Sequence, residues 1–145
     1  MGVGPPAYRS GSMKHKIADR IEHLLGRRPL RIAPMGGGCI APVYRCDLPG
    51  GERIVAKQAS PGRTLDCEAW MLGYLRNNGA LPVPAVLGAT SDLLLLEYID
   101  SGDPFDARAE AHAAELLAAL HAIKGPHFGF VRDTLIGRAS CRERV

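Results

Sequence analysis

The 145-residue sequence contains no hydrophobic run of membrane-spanning length. No stretch approaches the roughly 20 consecutive apolar residues that a helix needs to cross a bilayer. The N-terminus lacks the apolar segment of a secretory signal peptide. The net charge at pH 7 is only +3, which is too small to favour nucleic-acid binding. We therefore expect a protein that binds neither membranes nor nucleic acid.

Cysteine is also scarce, and its spacing excludes the common cysteine frameworks. The four cysteines form no CxxC pair and no zinc-binding spacing: Cys39, Cys46, Cys67 and Cys141. The five histidines are scattered, so a metal site built by this chain alone is not expected. Reduced thiols of this kind are typical of a cytoplasmic protein, and we predict that localisation.

The apolar pattern predicts an α+β fold with a mainly antiparallel sheet of about five strands. Residues 1–12 are rich in Gly, Pro and Ser and are expected to be a disordered extension ahead of Met13. The predicted strands cover residues 30–35, 43–48, 53–57, 86–87 and 93–98. The predicted helices cover residues 14–25, 61–79 and 106–123, and a polar connector at 100–104 precedes the last one.

A glutamate interrupts the apolar stripe of the second predicted helix. At 100° per residue, Glu68 falls on the same face as Leu65, Leu72 and Leu75. A carboxylate buried there would cost several kcal/mol unless a cation meets it. Lys57, at the end of the preceding strand, is the nearest plausible cation. The alternative is that Glu68 lies at the edge of the stripe and reaches water, with Lys57 an exposed lysine at a strand end.

Three consecutive glycines lie between two predicted strands. A P-loop or a Rossmann turn would place Gly36, Gly37 and Gly38 before a helix, and no Gly-Lys-Ser/Thr sequence follows them. A glycine-rich hairpin between two strands is instead the kinase arrangement, in which backbone N–H groups cover nucleotide phosphates. An ordinary flexible turn fits these residues equally well.

The leucine-rich strand at residues 93–98 supplies a third feature. Four leucines followed by Glu97-Tyr98-Ile99 suit a buried edge strand whose backbone faces a flat apolar ligand such as adenine, although an inert core strand that ends in a polar turn is equally compatible. The order and spacing of the glycine run, Lys57, Glu68 and this strand together favour the nucleotide-binding lobe of a kinase.

Several motifs then give the chain a family resemblance. It resembles the N-terminal half of the fructosamine kinase family, relatives of the aminoglycoside phosphotransferases with a protein-kinase-like fold, from about Met13 to Leu135. The matching stretches are Gly36-Gly37-Gly38-Cys39-Ile40, Val43-Tyr44-Arg45, Val55-Ala56-Lys57, Glu68-Ala69, Val83-Pro84, residues 94–99, residues 114–121 and Phe128-Gly129-Phe130.

The resemblance implies a role for each of these site residues. The backbone of Gly36, Gly37, Gly38, Cys39 and Ile40 would cover the phosphates of ATP. Lys57 would contact phosphate oxygens and pair with Glu68. Glu97, Tyr98 and Ile99 would form the segment that meets adenine through the main chain, with Leu96 behind the ring. The family uses ATP and Mg²⁺ to phosphorylate a sugar hydroxyl of ketosamines on glycated amines or proteins. Ala41-Pro42 departs from the polar residue that many members carry after the isoleucine.

The residues that would perform phosphotransfer are missing from these 145 residues. No His-Gly-Asp-like loop with a following asparagine and a second aspartate occurs, so no catalytic residue is assigned and the metal ligands are expected outside this sequence. Residues 136–145 match the translation of a common sequencing adapter, although Ile136 and Gly137 also suit the family. We therefore expect an extension at 1–12, a nucleotide-binding N-lobe at 13–100, a hinge and truncated C-lobe at 101–135, and an adapter-derived tail.

Three other functions stay open at the level of the sequence. An aminoglycoside- or choline-type phosphotransferase would share this lobe, because substrate selectivity resides mainly in the missing half. A non-catalytic nucleotide-binding module, or pseudokinase, would also share it. An unrelated α+β domain would place Lys57 and Glu68 apart. The sequence does not indicate an oligomeric state.

Overall fold

The computed structural model describes residues 10–36, 41–79, 81–100, 102 and 106–123, with side chains from Met13 onward. This part of the chain forms three helices and five strands, which confirms the predicted α+β class. In chain order they are α1 (Ser10–Leu25), β1 (Arg31–Pro34), β2 (Val43–Asp47), β3 (Arg53–Gln58), α2 (Asp66–Asn78), β4 (Val86–Ala89), β5 (Leu93–Glu97) and α3 (Ala107–His121).

The five strands form one sheet in the order β1-β2-β3-β5-β4, and every neighbouring pair is antiparallel. β5 lies between β3 and β4, so the expectation that the leucine-rich strand is an edge strand was wrong: β4 takes the edge because it pairs only with β5 among the described strands. β3 thereby becomes the central strand. Its Lys57 lies opposite Val43 of β2 on one side and Leu94 of β5 on the other.

Helix α1 covers one face of this sheet and forms the main core with it. Alternate strand residues point to the same face, which brings apolar side chains from β2, β3 and β5 under the helix. Each fully buried large aliphatic side chain contributes about 1.5–3 kcal/mol. The buried core residues are Ile17, Ile21, Cys46, Leu48, Ile54, Ala56, Leu93 and Leu95.

Two predicted helix boundaries were wrong. Helix α1 begins at Ser10, inside the segment predicted to be disordered, and Met13 packs against the core, which holds the first turns in place. Helix α2 begins at Asp66 rather than at residue 61. Gly62 has a left-handed φ of 76°, which a right-handed helix cannot accommodate, and a turn closes between Arg63 and Ser60. Residues 1–9 lie outside the described residues.

Helix α3 has a well-defined start but little cover. The Asp106 carboxylate accepts a hydrogen bond of 2.8 Å from the backbone N–H of Ala109, which is a standard N-cap. None of the helix residues is buried, and Leu117 is 50% exposed. The predicted division of the chain into a lobe at 13–100 and a second unit at 101–135 stays a prediction, as does the origin of the tail at 136–145, which lies outside the described residues.

Candidate functional site

Lys57 lies near the end of β3, on the face of the sheet that α1 does not cover. Ile54 and Ala56 point into the core beneath α1, so the alternation of the strand directs Val55 and Lys57 to the opposite face. Helix α2 follows β3 after a short loop and carries Glu68 in its first turn. The sequence order strand, loop, helix therefore brings these two charges together.

The predicted ion pair between Lys57 and Glu68 is confirmed. The ammonium nitrogen of Lys57 lies 2.7 Å from both carboxylate oxygens of Glu68. This forked contact fixes the end of a flexible lysine side chain more firmly than a single hydrogen bond would. The pair joins the central strand β3 to the first turn of α2.

The expectation that Glu68 is withdrawn from water was wrong. The Glu68 side chain retains 38% of its exposure and that of Lys57 retains 27%. No residue of α2 is buried, and among the strands the helix contacts mainly the edge strand β4. The pair is therefore held in position yet accessible, and an accessible ammonium can contact an anionic ligand.

Besides the fully buried Leu94 opposite Lys57, three further apolar side chains lie on this sheet face. Val43 of β2 lies directly opposite Lys57, while Val55 of β3 lies opposite Leu96 of β5. All three are half-buried, and they form a flat apolar surface next to a fixed positive charge. Only Leu96 was assigned to the site from the sequence. The period-two alternation of β3 could have identified Val55, because it shares the face of Lys57, but Val43 needs the strand register.

The glycine run connects β1 to β2, as the sequence predicts for a hairpin rather than a P-loop. The backbone N–H of Met35 donates to the Val43 carbonyl at 2.9 Å, and the N–H of Gln58 donates to the Pro42 carbonyl at 2.9 Å. Both bonds hold the hairpin at the end of the sheet where Lys57 lies. Gly36 forms an exposed turn there. Gly37, Gly38, Cys39 and Ile40 lie outside the described residues, so their predicted contacts with phosphate stay predictions.

Residues 97–100, at the end of β5 and just after it, contact Ala85 and Arg53. Glu97 donates its backbone N–H to the Ala85 carbonyl at 2.9 Å, and its carboxylate accepts from the Ala85 N–H at 3.0 Å. The guanidinium carbon of Arg53 lies 4.6 Å from the centre of the Tyr98 ring. Arg53 also pairs with Asp100 at 3.2 Å.

The Glu97 carboxylate is therefore engaged with the chain itself. The Glu97 N–H is engaged as well, so a ligand at this segment could not use it as a donor. Ile99 comes next and is 57% exposed. Its contact with adenine stays a prediction.

Arg45 of β2 lies opposite Val55 on the same face and pairs with Asp47 at 3.1 Å. Among the described residues, no three His, Cys, Asp or Glu side chains are placed to hold a metal ion together. A cavity of about 210 Å³ lies on the α1 side, lined in part by Lys14, Arg28 and Arg31. Burial raises the pKa of Cys46 to about 12, and the neighbouring Asp47 adds to the effect, so this thiol stays protonated at neutral pH.

Comparisons with known proteins identify the family of the chain. Residues 31–140 match the model of the phosphotransferase enzyme family, APH. A Thermobifida fusca YX-ER1 protein, provisionally described as a fructosamine-3-kinase, has a crystal structure that superposes with a TM-score of 0.68 at 29% sequence identity. The match covers 86% of this chain but only 44% of that protein. A search of curated proteins by sequence gave no significant match.

Proposed function

The chain belongs to the phosphotransferase enzyme family, and from that premise we propose that it forms the ATP-binding lobe of a fructosamine kinase-like small-molecule kinase. The contact that carries the proposal is the forked Lys57–Glu68 pair, with both Nζ–O distances at 2.7 Å. In phosphotransferases of this fold, a strand lysine held by a helix glutamate contacts nucleotide phosphates. The comparisons support the phosphotransferase class and the kinase-like lobe, whereas ATP binding at this site is our proposal.

Two features of the described residues support ATP as the ligand. Lys57 would contact phosphate oxygens, because its ammonium is fixed by Glu68 and still partly exposed. Val43, Val55 and Leu96 would contact the adenine ring, since a planar apolar group matches a flat apolar surface beside that charge. The Glu97 carbonyl and the main chain of Tyr98 and Ile99 would supply the hydrogen bonds to the ring edge, because the Glu97 N–H already donates to Ala85. Bound ATP would supply the phosphoryl group that is transferred.

Magnesium is the second expected cofactor, and it would neutralise charge on the phosphates. No metal ligands are assigned within these 145 residues, because the aspartate and asparagine that hold Mg²⁺ in such kinases have no counterpart in the sequence. We propose that they belong to the rest of the full-length protein. The chain spans 44% of the length of the Thermobifida fusca protein.

The proposed substrate is a ketosamine, phosphorylated on a sugar hydroxyl. Support comes from the provisional fructosamine-3-kinase description of a relative at 29% identity and from the glycine–cysteine–isoleucine motif at residues 36–40. An aminoglycoside- or choline-type alcohol is the alternative within the family. No substrate-binding residues are identified in this lobe, so the substrate is proposed for the full-length protein.

Titration of the chain with ATP tests the assigned site. We expect Lys57→Ala to weaken ATP binding about tenfold or more, the effect of losing a charge-assisted contact. Lys16→Ala is the matched control, because Lys16 is an exposed lysine of α1 on the other side of the sheet. Equal affinities for the two variants, or no ATP binding by the chain, would contradict the assignment.

Turnover by the full-length protein separates an active kinase from a binding module. We expect ATP-dependent phosphorylation of a glycated lysine by the full-length protein, and none by this chain, which lacks the base that accepts the hydroxyl proton. A full-length protein that binds ATP without turnover on any alcohol would favour the pseudokinase alternative. Cytoplasmic localisation and the absence of nucleic-acid partners stay predictions. Among the described helices, none is long and apolar enough to cross a membrane.

A further inference from the structure

The turn between β4 and β5 contacts the backbone on both sides of the Lys57–Glu68 pair. Ala59, two residues after Lys57, donates its N–H to the carbonyl of Asp92 at 2.9 Å. Leu65, three residues before Glu68, donates its N–H to the carbonyl of Ser91 at 2.7 Å. The end of β3 and the start of α2 are thus bonded to two consecutive residues of one turn.

Helix α1 holds the same turn from the other side of the sheet. One guanidinium nitrogen of Arg20 donates to a carboxylate oxygen of Asp92 at 2.7 Å, and the other donates to the hydroxyl of Thr90 at 2.6 Å and to the second oxygen of Asp92. The Thr90 hydroxyl also accepts from the backbone N–H of Leu93 at 3.1 Å. The planar guanidinium therefore fixes the orientation of the turn as well as its distance from α1.

We propose that Arg20 is a positioning residue for the Lys57–Glu68 pair. Its contact with the β4–β5 turn fixes the turn, and the turn fixes the separation between the end of β3 and the start of α2. Arg20 itself lies on α1 and reaches the pair only through this turn. The inference rests on the proposed function in one respect, namely that the pair so positioned is the one that binds nucleotide phosphates.

A second arginine provides a matched control. Arg27 follows α1 and pairs with Glu52 in the β2–β3 turn at 2.6 Å. The side chains of Arg27 and Glu52 are 44% and 47% exposed, comparable with 31% and 54% for Arg20 and Asp92. Among the described residues, no hydrogen bond joins the β2–β3 turn to Ala59 or Leu65. Loss of either arginine therefore removes a solvent-exposed ion pair, but only loss of Arg20 should change the reactivity of Lys57.

The experiment measures the reactivity of the Lys57 amine without relying on any enzymatic activity. Wild type, Arg20→Ala and Arg27→Ala chains are acetylated with trace acetic anhydride, and peptide mass spectrometry gives the rate at Lys57 relative to Lys14. A Lys57 nitrogen engaged by two carboxylate oxygens on a half-buried side chain is less available to the reagent than one released from that contact. We expect Arg20→Ala to raise the relative rate about two- to fivefold, the range set by an exposed ion pair. Arg27→Ala should leave it unchanged.

An unchanged rate in Arg20→Ala, or the same rise in both variants, would overturn the inference. If Arg20→Ala does not fold, Arg20→Lys keeps the charge, removes the forked geometry and is expected to show the same rise. ATP affinity is measured on the same samples. A rise in Lys57 reactivity with unchanged ATP affinity would support the positioning role and overturn the assignment of the pair to nucleotide phosphates.

Discussion

At the scale of single residues, the site depends on the chemical difference between an ammonium and a guanidinium at position 57. The Lys57 nitrogen is a compact charge 2.7 Å from both oxygens of Glu68. The lysine side chain is half-buried on the sheet face. A guanidinium carries the same charge on a planar fork that is larger and longer. Charge alone is therefore not sufficient for the role proposed here.

We predict that Lys57→Arg does not restore the ATP binding lost in Lys57→Ala. The fork can pair with Glu68, but its bulk displaces the charge from the position that phosphate oxygens would meet. Calorimetric titration with ATP measures this, and both variants should bind about tenfold or more weakly than wild type. Recovery of wild-type affinity in Lys57→Arg would show that any cation suffices.

A second prediction at this scale concerns the thiols. Cys46 is fully buried in the core and its pKa is raised to about 12, mainly by burial, whereas Cys67 is half-buried on α2. Because the thiolate is the reactive form, iodoacetamide at pH 8 should modify Cys67 about tenfold or more faster than Cys46. Peptide mass spectrometry gives both rates. In urea the difference should disappear, and equal rates in the folded protein would contradict the burial of Cys46.

At the scale of elements, turns and caps decide how the helices meet the sheet. Gly62 and the turn at Ser60 delay the start of α2 until Asp66, which places Glu68 in the first helical turn beside Lys57. Had the helix begun at residue 61, the same glutamate would have lain two turns in. The β4–β5 turn then holds that start in place through Ser91.

The contact between α1 and this turn predicts an acid-dependent loss of stability. Hydrogen bonds from Arg20 lower the pKa of Asp92 below its usual range. A carboxyl group whose pKa is lower in the folded state stabilises the fold above its unfolded pKa, and this stabilisation is lost as the pH falls through the folded value. The free energy of unfolding should therefore decline below about pH 4. The Asp92 share is no more than about 1 kcal/mol, because the pair is exposed to solvent.

Urea denaturation at pH 7 and at pH 3 measures this effect. Asp92→Asn should show a smaller decline between the two pH values than wild type does. Glu52→Gln, which breaks the comparable pair with Arg27, serves as the control for a turn carboxylate. An identical decline in wild type and Asp92→Asn would contradict the stabilising role of the charge.

At the scale of the whole molecule, part of the apolar surface outside the α1 core is exposed among the described residues. Helix α3 has no buried residue, Leu117 is 50% exposed and Ile99 beside the sheet is 57% exposed. Exposed apolar stripes of this kind favour self-association. We therefore predict that the chain on its own is poorly soluble or associates.

Light scattering after gel filtration tests this prediction. Leu117→Glu should shift the chain toward a monomer, because it places a charge on the apolar stripe of α3. Ala111→Glu adds the same charge on the exposed opposite side of the helix and should have little effect. A monodisperse wild-type monomer that unfolds cooperatively would refute the prediction.

The sequence by itself determined the element types, the hairpin that carries the glycines and the pairing of Lys57 with Glu68. These features follow from local periodicity and from the cost of leaving a charge on an apolar stripe, both of which are written into short segments. Only the tertiary structure decided how exposed the pair is, which valines share its face, and that one turn connects both partners to Arg20. Such properties depend on strand register and on contacts between residues about 70 positions apart, such as Arg20 and Thr90, which no local pattern encodes.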